Sequence, residues 1–149
     1  MIIILLPAYN EEISFPPLMK KLKYVLEETS ETYRLIICND GSSDNTAKIL
    51  KEYSTKLPLE VIEHPINRGL GESSRDLFER AVNLGKEGDI IIRMDCDDTH
   101  EPKYIPIIIR RLNQGYDVVV ASRFQKGGGQ MGVNGYRAFI SRCANLFMK

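Results

Sequence analysis

Asp95, Asp97 and Asp98 close the stretch Asp89-Ile90-Ile91-Ile92-Arg93-Met94-Asp95-Cys96-Asp97-Asp98. Carboxylates this close repel one another. A cation among them makes the arrangement favourable, and oxygen ligands suit hard ions such as Mg²⁺ or Mn²⁺. The residues before the acids are apolar and β-branched, the composition of a strand buried on both faces. The acids therefore stand where a strand meets its loop, which in an open parallel sheet is where ligands bind. The expectation is a divalent metal at Asp95-Cys96-Asp97, there to manage a phosphate-bearing substrate. The plainer alternative is that these acids cap the next helix or face solvent.

Elements must hold such a site in place, and the chain is long enough to supply them. Its 149 residues suit one domain, 1–149, with a real core, and 43% hydrophobic residues exclude a disordered chain. Twenty basic residues against twenty acidic ones leave no net charge that points to nucleic acid. Cys38, Cys96 and Cys143 are far apart and lack metal-type spacing, which suits a reducing, cytoplasmic compartment. The apolar start, Met1 to Leu6, lacks a basic flank and is cut short by Pro7. No apolar run approaches the ~20 residues that span a bilayer.

Strand-like and helix-like segments alternate. Ile2–Leu6 reads as the first strand, with Pro7-Ala8-Tyr9-Asn10-Glu11-Glu12 at its exit. A helix follows with Ser14 as cap and Pro16-Pro17 in its first turn; Leu18, Leu22, Val25 and Leu26 share one face. Leu35–Cys38 is the second strand, and Asn39-Asp40-Gly41-Ser42-Ser43-Asp44-Asn45-Thr46 leads into a helix reaching about Lys56. Leu59–Glu63 is the third strand and 64–71 a loop. The next helix covers about 72–86, with Leu77, Ala81, Val82 and Leu84 packing. Asp89–Met94 is the fourth strand. A helix from about Pro102 to Asn113 and a fifth strand, Asp117–Ala121, complete the alternation.

This pattern predicts parallel strands, right-handed crossovers and helices on both faces. Tyr9 and Glu11 then leave strand one, Asp40 strand two, Asp95 and Asp97 strand four, and Arg123 strand five, all on one rim. Acids and an aromatic at several strand exits make a binding cleft.

Four motifs in this order, Pro7-Ala8-Tyr9-Asn10-Glu11, Asn39 to Thr46, Asn67-Arg68-Gly69 and Asp95-Cys96-Asp97, resemble those of inverting family 2 glycosyltransferases with the GT-A fold. The finer features are Met94-Asp95-Cys96-Asp97, His100 before Pro102, Ser122-Arg123-Phe124 with Gly127-Gly128-Gly129, and Ile140-Ser141-Arg142. They are most similar to polyprenyl-phosphate (dolichol-phosphate) mannosyl- or glucosyltransferases. The resemblance covers nearly the whole chain. It implies a GT-A, Rossmann-like α/β fold and a nucleotide-diphosphate sugar of GDP-mannose or UDP-glucose type. The acceptor it implies is a lipid phosphate, met at the cytoplasmic face of a membrane.

The residue chemistry is compatible with that donor. Tyr9 can stack on or line the base, a partly buried structural aromatic being the alternative; Glu11 can accept from ribose hydroxyls, and Asp40 can accept from a base N–H. Pro7 belongs to the same nucleotide-binding motif. For Asp40 the alternative is an ordinary Asx-type turn. Asp97 is the expected direct ligand of Mg²⁺ or Mn²⁺, and Asp95 ligates the metal or binds ribose. The metal neutralises charge on the leaving nucleotide. Arg68 and Arg123 are the candidates to grip phosphate oxygens with planar guanidinium groups, loop ordering being the alternative for Arg68, and Arg123 is expected to join Asp97 as the catalytic pair. Glu12, Asn39 and Asn45 are expected to be structural, and His100 serves either the metal or the helix start.

Gly127, Gly129 and Gly132 satisfy G-x-G-x-x-G, but no later strand with a ribose-binding acid follows, so a loop over the donor is the better reading. No G-K-[ST] occurs, which excludes a P-loop. Tyr136, Phe139, Ile140, Cys143 and Phe147 fall on one side of a last helix that docks on the sheet or lies at a membrane surface. The resembling enzymes continue into acceptor-side strands, so the chain is expected to be C-terminally truncated and open to self-association through this helix. Two rivals differ in class: a sugar nucleotidyltransferase, which would carry a Gly-rich basic loop after strand one, and a non-catalytic nucleotide-sugar-binding module.

Overall fold

β1 (Ile2–Ala8) is buried along its whole length. Alternate side chains of a strand point to opposite faces, so it needs cover on both. Ile2, Ile4, Leu6 and Ala8 enter one apolar layer, while Ile3 and Leu5 enter the other. This arrangement is seen in a computed structural model that describes residues 1–97, 100–122, 135 and 140.

The first layer is built by α1 (Phe15–Glu28) and α2 (Thr46–Ser54). α1 buries Phe15, Leu18, Met19, Leu22, Val25 and Leu26, a stripe at helical spacing. Each such side chain contributes about 1.5–3 kcal/mol when fully buried. Pro16 and Pro17 fall in the first turn, whose N–H groups lack helical partners in any case. Phe15 and Tyr53 tie α1 to α2 edge-to-face, with ring centroids 5.3 Å apart.

The second layer is α3 (Leu70–Leu84), which rests on β1 and on β2 (Tyr33–Asp40) through Ser73, Leu77 and Ala81. Val82 was expected to pack. It lies a third of a turn beyond that stripe and is 72% exposed.

With β3 (Leu59–His64) and β4 (Ile90–Arg93), the strands form one parallel sheet in the order β3-β2-β1-β4. The chain winds outward from β1 to β3, crosses over through α3, and returns to the other side of β1. Helices therefore cover both faces, as the alternation predicts.

Two boundaries differ from expectation for identifiable reasons. β1 runs through Pro7 to Ala8. Met1, just before this strand, and Leu5 within it turn their carbonyls to the β4 side, so Pro7 faces that side too. β4 pairs only as far as Leu5, and the missing Pro7 N–H falls just past its end. The 102–113 helix is a 3-10 turn, Pro102–Tyr104, followed by α4 (Ile105–Leu112). Pro106 lacks the N–H that would bond back to residue 102.

The expected fifth strand is not one. Residues 117–121 are irregular, and Val118 and Val120 are 77% and 79% exposed. A strand needs a ladder and cover, and among the described residues β4 pairs with β1 alone. Asp98, Arg123, the Gly-rich loop and most of the last helix lie outside the described residues. Within that helix, Gly135 and Ile140 are helical and exposed.

Candidate functional site

The sheet order places a topological switch point between β1 and β4, where successive connections leave in opposite directions. In open parallel sheets ligands bind at such a point, beyond the carboxyl ends of the strands. Tyr9 stands at the exit of β1, 47% exposed, one residue past the buried Pro7 and Ala8. Asp95 and Asp97 follow β4, with Asp97 exposed and Cys96 buried between them.

Glu11 faces the same acids. Burial pushes its carboxyl above the usual range; a hydrogen bond from Ser14 opposes this, and the charges of Asp97, Asp44 and Asp95 add to it. The Cys96 thiol is pushed up by burial and then by Glu11, Asp97 and Asp95. The exits of β1 and β4 thus bring three carboxylates into one field.

The loops after β1 and β2 are tied together by hydrogen bonds. The Asn10 N–H donates to Ser42 Oγ at 3.0 Å, the Glu11 N–H to Thr46 Oγ1 at 2.8 Å, and the Glu12 N–H to Asp44 Oδ2 at 3.2 Å. In return Ser43 N–H donates to Asn10 Oδ1 at 2.8 Å, and Asn45 donates to Glu12 Oε2 from its backbone and side chain. Glu12 and Asn45 are therefore structural, as expected. So is Asn39, which donates to Glu63 Oε2 at 2.6 Å.

Asp40 ends β2 and is buried. Its Oδ1 accepts from the Arg68 N–H at 2.9 Å and its Oδ2 from the Gly69 N–H at 2.8 Å. His64 Nδ1 lies 2.6 Å from the same Oδ1. Burial alone would raise the Asp40 pKa; these three hydrogen bonds more than offset it and hold the carboxylate below its usual range. Asp40 therefore anchors the Asn67-Arg68-Gly69 turn. Sequence reasoning missed this role, and missed His64 and Asp76 entirely. The available signal was an acid stripe, Glu72 and Asp76, one helical turn apart.

Arg68 turns its guanidinium along α3, with Nη2 2.8 Å from Glu72 and Nη1 3.5 Å from Asp76. Asp95 is engaged by Arg93 Nη1 at 2.8 Å, and its N–H donates to His100 Nδ1 at 3.0 Å. His100 thus orders the turn after β4. The structure brings Glu11, Asp95 and Asp97 into one field, with Tyr9 exposed at the exit of β1, and joins Asp40 to Arg68 at the end of β2. Arg123 lies outside the described residues.

Among the described residues, no three His, Cys, Asp or Glu side chains are grouped to hold a metal by themselves. Two carboxylates on one short turn still fit a hard cation, because Mg²⁺ is commonly held by one or two carboxylates plus substrate phosphates.

Residues 3–143 match the profile of Glycosyl transferase family 2. The chain belongs to this family. Among its family 2 relatives is the undecaprenyl-phosphate 4-deoxy-4-formamido-L-arabinose transferase of Proteus mirabilis (strain HI4320), 35% identical over 80% of this chain and 36% of that protein. The dolichol-phosphate mannosyltransferase of Pyrococcus furiosus is 30% identical over 95% of this chain and 38% of that protein. This family 2 chain thus spans well under half the length of these relatives. The crystal structure of S. aureus TarS 1-349 in complex with UDP-GlcNAc superposes with a TM-score of 0.60 at 19% identity, over 84% of this chain and 38% of that one. At that identity the likeness concerns the fold, which is the GT-A-type α/β fold expected from the motifs.

Proposed function

We propose that this chain is the donor-binding part of a family 2 glycosyltransferase, and that it binds a nucleotide-diphosphate sugar at the β1–β4 rim. The convergence of Glu11, Asp95 and Asp97 beside the exposed Tyr9, at the switch point of a parallel sheet, carries this reading. Tyr9 offers a face to the base. Asp40 has three donors on a carboxylate with about four lone-pair sites, so one site remains for a base N–H. Asp97, with Asp95, would hold Mg²⁺ or Mn²⁺. When bound, such an ion supplies positive charge against the diphosphate leaving group. Arg68 reaches phosphate once its guanidinium leaves Glu72, and Arg123 adds a second cation.

The names of the relatives, an undecaprenyl-phosphate and a dolichol-phosphate sugar transferase, favour a polyprenyl phosphate as acceptor. A phosphate is already ionised at neutral pH and needs no general base, so transfer with inversion proceeds by direct attack. We place the chain at the cytoplasmic face of a membrane, where a lipid-phosphate acceptor would be met; no described helix is long and apolar enough to cross it. The test is a thermal-shift screen of GDP- and UDP-sugars with and without Mn²⁺. A ligand that binds only the native state raises its apparent stability. A metal-dependent shift by one donor class supports the reading, and no shift with any donor contradicts it.

A further inference from the structure

His64 ends β3, and its ring is buried between β2 and α3. Nδ1 lies 2.6 Å from Asp40 Oδ1 and Nε2 lies 2.9 Å from Asp76 Oδ2. Ionised carboxylates only accept hydrogen bonds, and a neutral imidazole donates from one nitrogen. Both contacts are satisfied together when both ring nitrogens carry protons.

The other groups facing the ring fit that state. Cys38 Sγ, from β2, lies 3.6 Å from Nε2 and 3.9 Å from Nδ1. Arg68 Nη1, from the turn before α3, is 3.5 Å from Asp76 Oδ2. Glu72 and Arg75 sit one step further out on α3, bound to Arg68, to Asp76 and to each other. Glu63, the preceding residue of β3, turns instead to Asn39. Three carboxylates, Asp40, Asp76 and Glu72, thus meet three cations, the protonated His64, Arg68 and Arg75.

We propose that His64 is a positioning residue for nucleotide binding: as an imidazolium tied to Asp40 and Asp76, it clamps the end of β2 to α3. Through Asp40 it fixes the Arg68-Gly69 turn. Loss of its proton leaves one nitrogen lone pair against a carboxylate, loosens the turn and lowers nucleotide affinity. The proposal rests on the nucleotide-binding reading above.

The hydrogen bond His64 donates to Asp40 raises the His64 pKa; burial opposes it and the bond to Asp76 adds to it, for a net rise. The sign follows. The stabilisation is complete below the unfolded histidine value of about 6.5 and is lost as pH rises through the higher folded value.

The test combines two measurements. Calorimetric affinities for UDP and GDP with Mg²⁺ are taken between about pH 6 and 8.5 for the parent and His64→Gln, a range in which only the parent can titrate at this position. The ¹⁵N shifts of the His64 ring are taken on the parent without nucleotide. The parent should lose roughly tenfold in affinity as pH rises. His64→Gln should start near the parent's high-pH affinity and stay flat relative to it. The ring should be doubly protonated at the acid end and titrate above the ordinary histidine value. Parallel pH profiles in parent and variant would overturn the proposal, as would a ring already neutral at the acid end, whether or not His64→Gln folds. If the parent binds neither nucleotide at any pH, the functional reading fails and the affinity half of this inference fails with it. The ring measurement then decides the clamp alone.

Discussion

Gly41 lies directly against the Ile66–Asn67 peptide: a Cβ built on it would stand 2.4 Å from the Ile66 carbonyl carbon and 2.5 Å from the Asn67 nitrogen. Its φ is +69° as well. One residue therefore meets two demands that only glycine satisfies. It lets the turn after β2 close onto the loop that carries Arg68.

Gly41→Ala is expected to destabilise the fold by more than about 2 kcal/mol. The left-handed backbone alone costs an alanine roughly 1–2 kcal/mol, and the atoms it meets are backbone. Thermal melting should fall by several degrees, and any nucleotide affinity should fall with it. An unchanged melting temperature would mean that the 41–67 contact is not close in solution.

Asp40→Asn is expected to cost stability as well as affinity. The amide keeps one acceptor oxygen but places a donor where His64, Arg68 or Gly69 now donates. A lost hydrogen bond to a charged group costs about 1.5–3 kcal/mol. Denaturant unfolding measures this directly. A variant as stable as the parent would return Asp40 to the role of a plain base reader.

Tyr9→Ala should leave stability nearly unchanged, because the side chain is half exposed. Base–aromatic stacking is worth about 1–3 kcal/mol, so nucleotide affinity should drop by about one to two decades. Equal affinity in calorimetry would remove Tyr9 from the base slot.

Acid should unfold the rim first. Burial would raise the Asp44 carboxyl; hydrogen bonds from Thr46 and the Glu12 N–H outweigh it, and Asp44, like Asp40, lies below its usual range. A depressed folded pKa gives stability that is present above the unfolded value of about 3.9 and is lost as pH falls through the folded value. Melting temperature should therefore decline steeply in strong acid, and less steeply in Asp44→Asn. Matching slopes in the two proteins would contradict the assignment.

The rim was legible in sequence because each part is local. Apolar runs ending in Tyr9, Asp40 or Asp95 mark strand exits, and alternation with helices makes those exits coincide. The clamp was not legible. His64 meets Asp40 because β2 and β3 pair in a register that sets those two residues side by side, and meets Asp76 only once α3 crosses back over the sheet. Register and crossover depend on tertiary packing, which local pattern does not encode. The fifth strand failed for the converse reason: Asp117–Ala121 has strand composition, yet Val118 and Val120 stand exposed, and composition alone supplies no neighbour.

The central claim is a metal-bridged diphosphate at the β1–β4 rim. At 17.0 kDa the chain suits amide-resolved NMR, in which trace Mn²⁺ broadens signals close to it. With UDP or GDP present, Mn²⁺ should broaden the amides of Tyr9 to Glu12 and of Asp95 to Asp97, and Asp97→Asn should abolish that broadening while leaving the rest of the spectrum intact. Broadening centred elsewhere, for instance on the α2–β3 groove lined by Lys48, Lys51 and Glu63, or the same pattern in Asp97→Asn, would contradict the account.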